Sequence, residues 1–202
     1  MVVEENTNVN GNIYGGGNLG KVLGKIDSTI KDSNISKDIY GAGNKASVGT
    51  AVTADTISLK VNNVTATSIY GGGNAAETIG NTTTAVSKSS IENIYGGGNG
   101  AESIVSGDTT GEQNLAKVNG NTTTIVEDNT KVTNIYGGGN LGMVIGNTNV
   151  KTYNITATSI YGGGNEAIVD KNTKLLVSST KVNNSIYAGG NGAKAIVKGN
   201  TN

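Results

Sequence analysis

The amino-acid sequence predicts an all-β chain wound as a single-stranded parallel β-helix. This is a β-solenoid of about seven coils, read as right-handed because parallel crossover connections overwhelmingly are. Three observations lead there. The hexapeptide Ile-Tyr-Gly-Gly-Gly-Asn starts at residues 13, 69, 94, 135 and 160. With the variants Ile39-Tyr40-Gly41-Ala42-Gly43-Asn44 and Ile186-Tyr187-Ala188-Gly189-Gly190-Asn191 it makes seven copies. Successive copies are 26, 30, 25, 41, 25 and 26 residues apart, mostly too short for a propeller blade and right for a unit that buries its apolar side only by stacking on its neighbours. The stretches between copies are short runs of Val, Ile and Thr separated by Gly and Asn, a strand-and-turn signature without helical periodicity.

Each unit reads as three short strands: Ile-Tyr-Gly, then an Ala-x-(Val/Ile) stretch, then a Thr-Val stretch. Within the hexapeptide the third Gly (Gly17, Gly43, Gly73, Gly98, Gly139, Gly164, Gly190) never varies, whereas each of the two before it becomes Ala once. That invariance calls for positive φ or for an approach too close for a Cβ. Asn always follows, a residue suited to turns and left-handed backbone. Two residues on comes a small side chain: Gly20, Ala46, Ala76, Ala101, Gly142, Ala167, Ala193. A second phrase, Gly-Asn-Thr, recurs at Gly80-Asn81-Thr82, Gly120-Asn121-Thr122, Gly146-Asn147-Thr148 and Gly199-Asn200-Thr201. A third precedes the hexapeptide at Asn63-Val64-Thr65 and Asn154-Ile155-Thr156.

Stacked coils place like on like about 4.8 Å apart. The expectation is one array over residues 1–202, with Ile ladders inside and a loop of about residues 106–118 leaving the stack sideways within the 41-residue step. Asn18, Asn44, Asn74, Asn99, Asn140, Asn165 and Asn191 are expected to form an amide ladder at one corner.

Composition excludes several kinds of chemistry. Among the 202 residues there is no His, Cys, Pro, Trp or Phe, all fifteen basic residues are Lys, and they balance fifteen acids. Common zinc sites, thiol chemistry and imidazole triads are therefore out. A neutral chain without Arg offers no electrostatic stripe for nucleic acid. No run approaches a membrane span. The start, Met1-Val2-Val3-Glu4-Glu5, is no signal peptide, and the chain reads as a segment of a longer one.

Tandem Ile-Tyr-Gly-Gly-Gly-Asn units alternating with Gly-Asn-Thr phrases, from about Asn12 to Asn202, resemble the Gly-rich repeats of very large bacterial cell-surface proteins of adhesin type. The resemblance implies a stalk or adhesive solenoid at the cell surface, anchored through other segments; a glycan or host surface is a candidate partner beside a second copy of the chain.

The most pointed candidate is the Tyr set: Tyr14, Tyr40, Tyr70, Tyr95, Tyr136, Tyr161 and Tyr187. If Ile points inward, strand alternation sends the adjacent Tyr outward. The result is an exposed aromatic strip that could stack on sugar rings or dock another solenoid. The plainer alternative is a ladder that stabilises the fold by offset stacking. Gly-Gly-Gly-Asn is no phosphate loop, since no helix follows it. It also lacks the Asp and the nine-residue period of calcium-binding repeats. Thr triplets occur in only two units (82–84 and 122–124), so they read as β-favouring surface strands rather than an ice-binding row. The one carboxylate pair, Glu77 and Glu102, aligns in adjacent units but has no substrate-gripping neighbours. The chain therefore reads as a non-enzyme without cofactor or metal. Open strand edges at the ends point to self-association, end-to-end or lateral, with a self-assembling extracellular fibre subunit as the alternative function.

Overall fold

The computed structural model describes residues 1–52, 54–100 and 115–202. These residues are all β, without helix, and the strands run parallel in one curled sheet, consistent with a β-solenoid-like fold. Fourteen strands, numbered along the chain, fall into two ladders. The first holds β1 (Val2–Val3), the front halves of β4 (Ile26–Ile35) and β6 (Asp55–Tyr70), then β7 (Asn81–Ser87), β9 (Thr122–Glu127), β11 (Thr148–Tyr153) and β13 (Thr173–Ser178). The second contains β2 (Asn8–Val9), β3 (Ile13–Tyr14), β5 (Ile39–Tyr40), the back halves of β4 and β6, β8 (Ser90–Tyr95), β10 (Lys131–Tyr136), β12 (Thr156–Tyr161) and β14 (Lys181–Tyr187).

A bend carrying a residue in the left-handed region separates the two ladders within each unit. These residues are Asp32 (φ 47°), Asn63 (φ 53°), Lys88 (φ 51°), Asn129 (φ 61°), Asn154 (φ 54°) and Ser179 (φ 46°). The Asn that opens the third sequence phrase is thus a corner residue, where its short polar side chain tolerates left-handed backbone best.

The pairing joins each repeat to its neighbour in register. Ile13, Ile39, Ile69, Ile94, Ile135, Ile160 and Ile186 form one column, and the seven Tyr form the next. The third strand expected in each unit is shorter than predicted. It is a single bridge per unit, through Val22, Val48, Thr78, Val118, Val144, Val169 and Val197.

The Ile column is sealed in the core from Ile13 to Ile160, beside Val48, Leu59, Val61, Val86, Val126 and Val150. Apolar burial therefore runs as a thin thread along the stack, at about 25 cal/mol for each Å² removed from water. Ladder hydrogen bonds satisfy the backbone around it.

The Thr runs are not surface strands. Thr82, Thr122, Thr148 and Thr173 point inward and are fully buried. Their hydroxyls donate to the carbonyls of Gly96 (2.8 Å), Gly137 (2.6 Å), Gly162 (2.5 Å) and Ala188 (2.7 Å). A Thr here ties one face of the coil to the glycine corner of the same coil, which an aliphatic side chain cannot do. That bond explains why the recurring phrase ends in Thr.

Candidate functional site

The conspicuous side-chain arrangement is a corner where the Tyr and Asn columns meet. Tyr is the last residue of its strand, and the chain then turns through Gly-Gly-Gly-Asn. The Tyr rings gather in a cluster separate from the Ile core. Tyr40, Tyr70, Tyr95 and Tyr136 are only 3–6% exposed and form an apolar cluster of their own, with Tyr14 and Tyr161 against it. This corrects the expectation of a solvent-facing aromatic strip. The outcome is the alternative, a ladder that stabilises the fold, with each ring covered by its stacked neighbours. Only Tyr187, on the outermost described coil, is well exposed, at 48%.

The rings stack nearly parallel, with centroids 4.8–5.1 Å apart and interplanar angles of 3–8°. That spacing equals the distance between strands and exceeds the thickness of a ring. Parallel rings therefore touch only by tilting into an offset stack, an arrangement worth about 0.5–1.5 kcal/mol per pair beyond burial.

The Asn column is continuous. Each amide nitrogen donates to the side-chain oxygen of the preceding copy: Asn44 to Asn18 at 2.6 Å, Asn74 to Asn44 at 2.8 Å, Asn99 to Asn74 at 3.1 Å. Asn140 to Asn99 (2.9 Å), Asn165 to Asn140 (2.8 Å) and Asn191 to Asn165 (2.9 Å) complete it. The Asn99 amide also lies 3.4 Å from the Tyr40 hydroxyl, two copies away, so the two columns lock together.

A second Asn column, absent from the sequence-based candidates, runs along the Gly-Asn-Thr phrases. Side-chain oxygens of Asn81, Asn121, Asn147 and Asn172 accept from the backbone N–H of Asn121, Asn147, Asn172 and Asn200 at 2.8–3.1 Å. The recurrence of that phrase was the signal that could have found it.

The invariant third Gly is explained by crowding, not by φ. Positive φ falls instead on the residue after the Asn, at Ala75 (46°), Leu141 (57°), Glu166 (47°) and Gly192 (97°). A Cβ on Gly73 would stand 2.8 Å from the Cβ and the carbonyl oxygen of Ala76 and 2.8 Å from the carbonyl oxygen of Gly43. The same contact makes the second residue after the Asn small.

In two copies another residue takes that place. Ala116 faces Gly98 and Ala195 faces Gly190. Ala193 is exposed, while Ala101 lies outside the described residues. Of the loop expected at 106–118, residues 106–114 also lie outside them, whereas Lys117 and Val118 pair with Thr78. The expected Glu77–Glu102 pairing falls partly outside the described residues, since Glu102 is not among them. Beside Glu77 stands Lys117, its Nζ 3.1 Å from Oε1. Asn119 donates to the same oxygen at 2.6 Å. This is a half-exposed ion pair between neighbouring strands, the kind that contributes little to stability.

Burial, with the Asp38 carboxylate close by, raises the Tyr40 phenol far above its ordinary pKa. Burial raises Tyr95 similarly, and pushes Tyr70 and Tyr136 up to about 12. The amides of Asn99, Asn140 and Asn191 act in the opposite direction on Tyr40, Tyr70 and Tyr136. Asp38 is itself raised, chiefly by burial. A hydrogen bond from the Tyr40 hydroxyl (3.2 Å) and one from the Ser68 N–H (3.1 Å) oppose the rise. The phenols are thus protonated donors over the whole neutral range, held as structural groups rather than poised as acids.

Among the described residues no three acidic side chains gather as a metal site, and no helix is long and apolar enough to cross a membrane. The chain matches no protein-family model, no curated protein and no solved structure.

Proposed function

We propose that the chain is a non-catalytic β-solenoid segment of about seven right-handed coils, serving as a rigid stalk or adhesive module of a bacterial surface protein. The observation that carries the reading is that the recurring polar and aromatic residues are engaged in joining one repeat to the next. Seven Tyr stack on one another, six consecutive amide bonds link the Asn column, and buried Thr hydroxyls bond glycine carbonyls. Residues that recur because each copy must template its neighbour serve rigidity and length. Surface variability is left to the outward positions of the strands. Placement at the cell surface comes from the resemblance of the repeats to adhesin-type proteins.

The shape is tested by small-angle scattering of the isolated chain. Seven coils at the strand spacing stack to roughly 30–35 Å. That is about the width that 20.3 kDa of protein then fills across the axis, so a markedly elongated or flattened particle refutes the stacked arrangement. Location is tested by antibody labelling of intact against permeabilised cells. Labelling confined to permeabilised cells refutes the surface assignment while leaving the stack untouched. The fibre-subunit reading draws on the uncovered edge, where Ile186 (51%) and Tyr187 (48%) are exposed although their counterparts are sealed.

A further inference from the structure

That edge carries a feature which bears on whether copies of the chain can join. A Cβ built on the first glycine of a repeat points along the stack toward the following repeat. On Gly41 it would lie 2.5 Å from the carbonyl oxygen of Gly71, and the corresponding oxygen is closer still at Gly15, Gly71, Gly96, Gly137 and Gly162. No real Cβ sits so close to a backbone oxygen, so glycine is required wherever another repeat follows in register. The seventh copy has Ala188 at that place.

The pairing of the seventh copy is otherwise standard. Ile186 and Tyr187 sit in their columns, the N–H of Gly162 donates to the Tyr187 carbonyl, and the N–H of Gly163 donates to the Gly189 carbonyl, both at 2.9 Å. Its backbone therefore directs the Ala188 methyl to the same side as the other copies, onto the uncovered edge.

We propose that Ala188 is a steric stop, which prevents this edge from accepting the first repeat of a second copy of the chain in register. The Ile, Tyr and Asn columns of this edge would continue into such a repeat. Ile13 would cover Ile186, Tyr14 would stack on Tyr187, and Asn18 would extend the amide column from Asn191. To seat the Gly15 carbonyl against the Ala188 methyl, the incoming coil must retreat by roughly half an ångström or more. The backbone bonds of this corner, now near 2.9 Å, would then pass the useful limit of about 3.2 Å.

Ala42 shows how the array treats an alanine one position later. There a Cβ faces an amide nitrogen and a Cα rather than a carbonyl oxygen, at 2.8 and 3.0 Å for its counterpart Gly16. Ala42 is accommodated, with its N–H bond to the Gly72 carbonyl at 3.2 Å. A methyl aimed at a carbonyl oxygen has no such way out. Uncovered parallel edges template further strands unless something obstructs them, and one methyl group in the glycine corner supplies the obstruction.

The test compares wild type, Ala188→Gly and Ala42→Gly by sedimentation velocity and negative-stain electron microscopy over a wide concentration range. Circular dichroism checks that each variant folds. Wild type and Ala42→Gly are expected to sediment as single chains and appear as short rods. Ala188→Gly, which restores the residue present in the other six copies, is expected to form end-to-end rods several-fold longer as concentration rises. The proposal is overturned if Ala188→Gly assembles no further than wild type, if wild type already forms such rods, or if Ala42→Gly lengthens them equally.

Discussion

Gly73→Ala is expected to destabilise the chain, whereas the same change at Gly189 is not. A methyl at Gly73 would lie 2.8 Å from three atoms, the Ala76 Cβ and oxygen and the Gly43 oxygen. All three are backbone atoms or a Cβ, so no rotamer change relieves them and the corner backbone of this repeat and of the preceding one must move. Overpacking of this kind costs about 1–3 kcal/mol. Neither glycine has positive φ, so both substitutions also gain about 0.4–1 kcal/mol by restricting the unfolded chain. The net loss at Gly73 is then about 1–2 kcal/mol. For a domain of this size, where each kcal/mol moves Tm by about 2–4 °C, that lowers Tm by about 2–8 °C. At Gly189 nothing lies within 4 Å of the added methyl, leaving only the gain. Thermal and urea midpoints of the two variants should therefore differ in opposite directions from wild type. Midpoints are the quantity to compare, because repeat arrays lose strict two-state behaviour. Equal losses for both variants, or no loss for Gly73→Ala, would refute close packing within the corner as the reason for the invariant glycine.

Three further outcomes follow from buried groups and corners. Thr78 is fully buried, its hydroxyl has no hydrogen-bond partner, and Val48 and Val118 flank it in the same column. Thr78→Val should raise the urea midpoint by the equivalent of about 1 kcal/mol, and a lower midpoint would contradict the unpaired state of that hydroxyl. Lys88 occupies a left-handed corner where Asn63, Asn129 and Asn154 stand in three other copies and Asp32 and Ser179 in two. Lys88→Asn should be stabilising by about 0.5–1 kcal/mol in the same assay, and a destabilised variant would count against that reading. Tyr70 and Tyr136 titrate at about 12 in the folded chain, against about 10 unfolded. Between those values the folded state holds more protons, so stability is full below about pH 10 and declines as pH rises toward 12. Denaturation midpoints should fall over that window, while phenolate absorbance at pH 11 stays well below the value reached on unfolding. Full phenolate absorbance in folded protein at pH 11 would show the ladder to be open to solvent.

Much of the fold can be read from the residues because a repeat reports its own environment. The invariance of Ile and of the third Gly marks sealed positions, and the strict Asn marks a corner. The same amide ladder that like-on-like stacking predicts is visible in the hydrogen bonds from Asn44 to Asn191. Of the two readings of the Tyr column, the exposed strip and the stacked ladder, the structure has the ladder. Each ring is covered by the rings of adjacent repeats, which strand alternation alone does not reveal. The inward Thr was hidden for a different reason. A buried Thr and a surface Thr favour strands equally, and only the Gly carbonyl across the coil tells them apart. The expected alignment of Glu77 with Glu102 falls partly outside the described residues, within which Glu77 pairs with Lys117.

Local chemistry alone determined that this chain is β, parallel and repetitive. Gly, Asn, Thr and β-branched residues at a steady period leave stacking as the way to satisfy the backbone and bury the isoleucines. Only the tertiary structure decided which face each side chain occupies, because facing depends on where a strand ends and on what crosses the coil. It also decided which glycines are obligatory. A Cβ on the first glycine of a repeat is forbidden by a carbonyl of the following repeat. One on the third is forbidden by residues of its own repeat together with the preceding one, contacts that only the folded corner brings together.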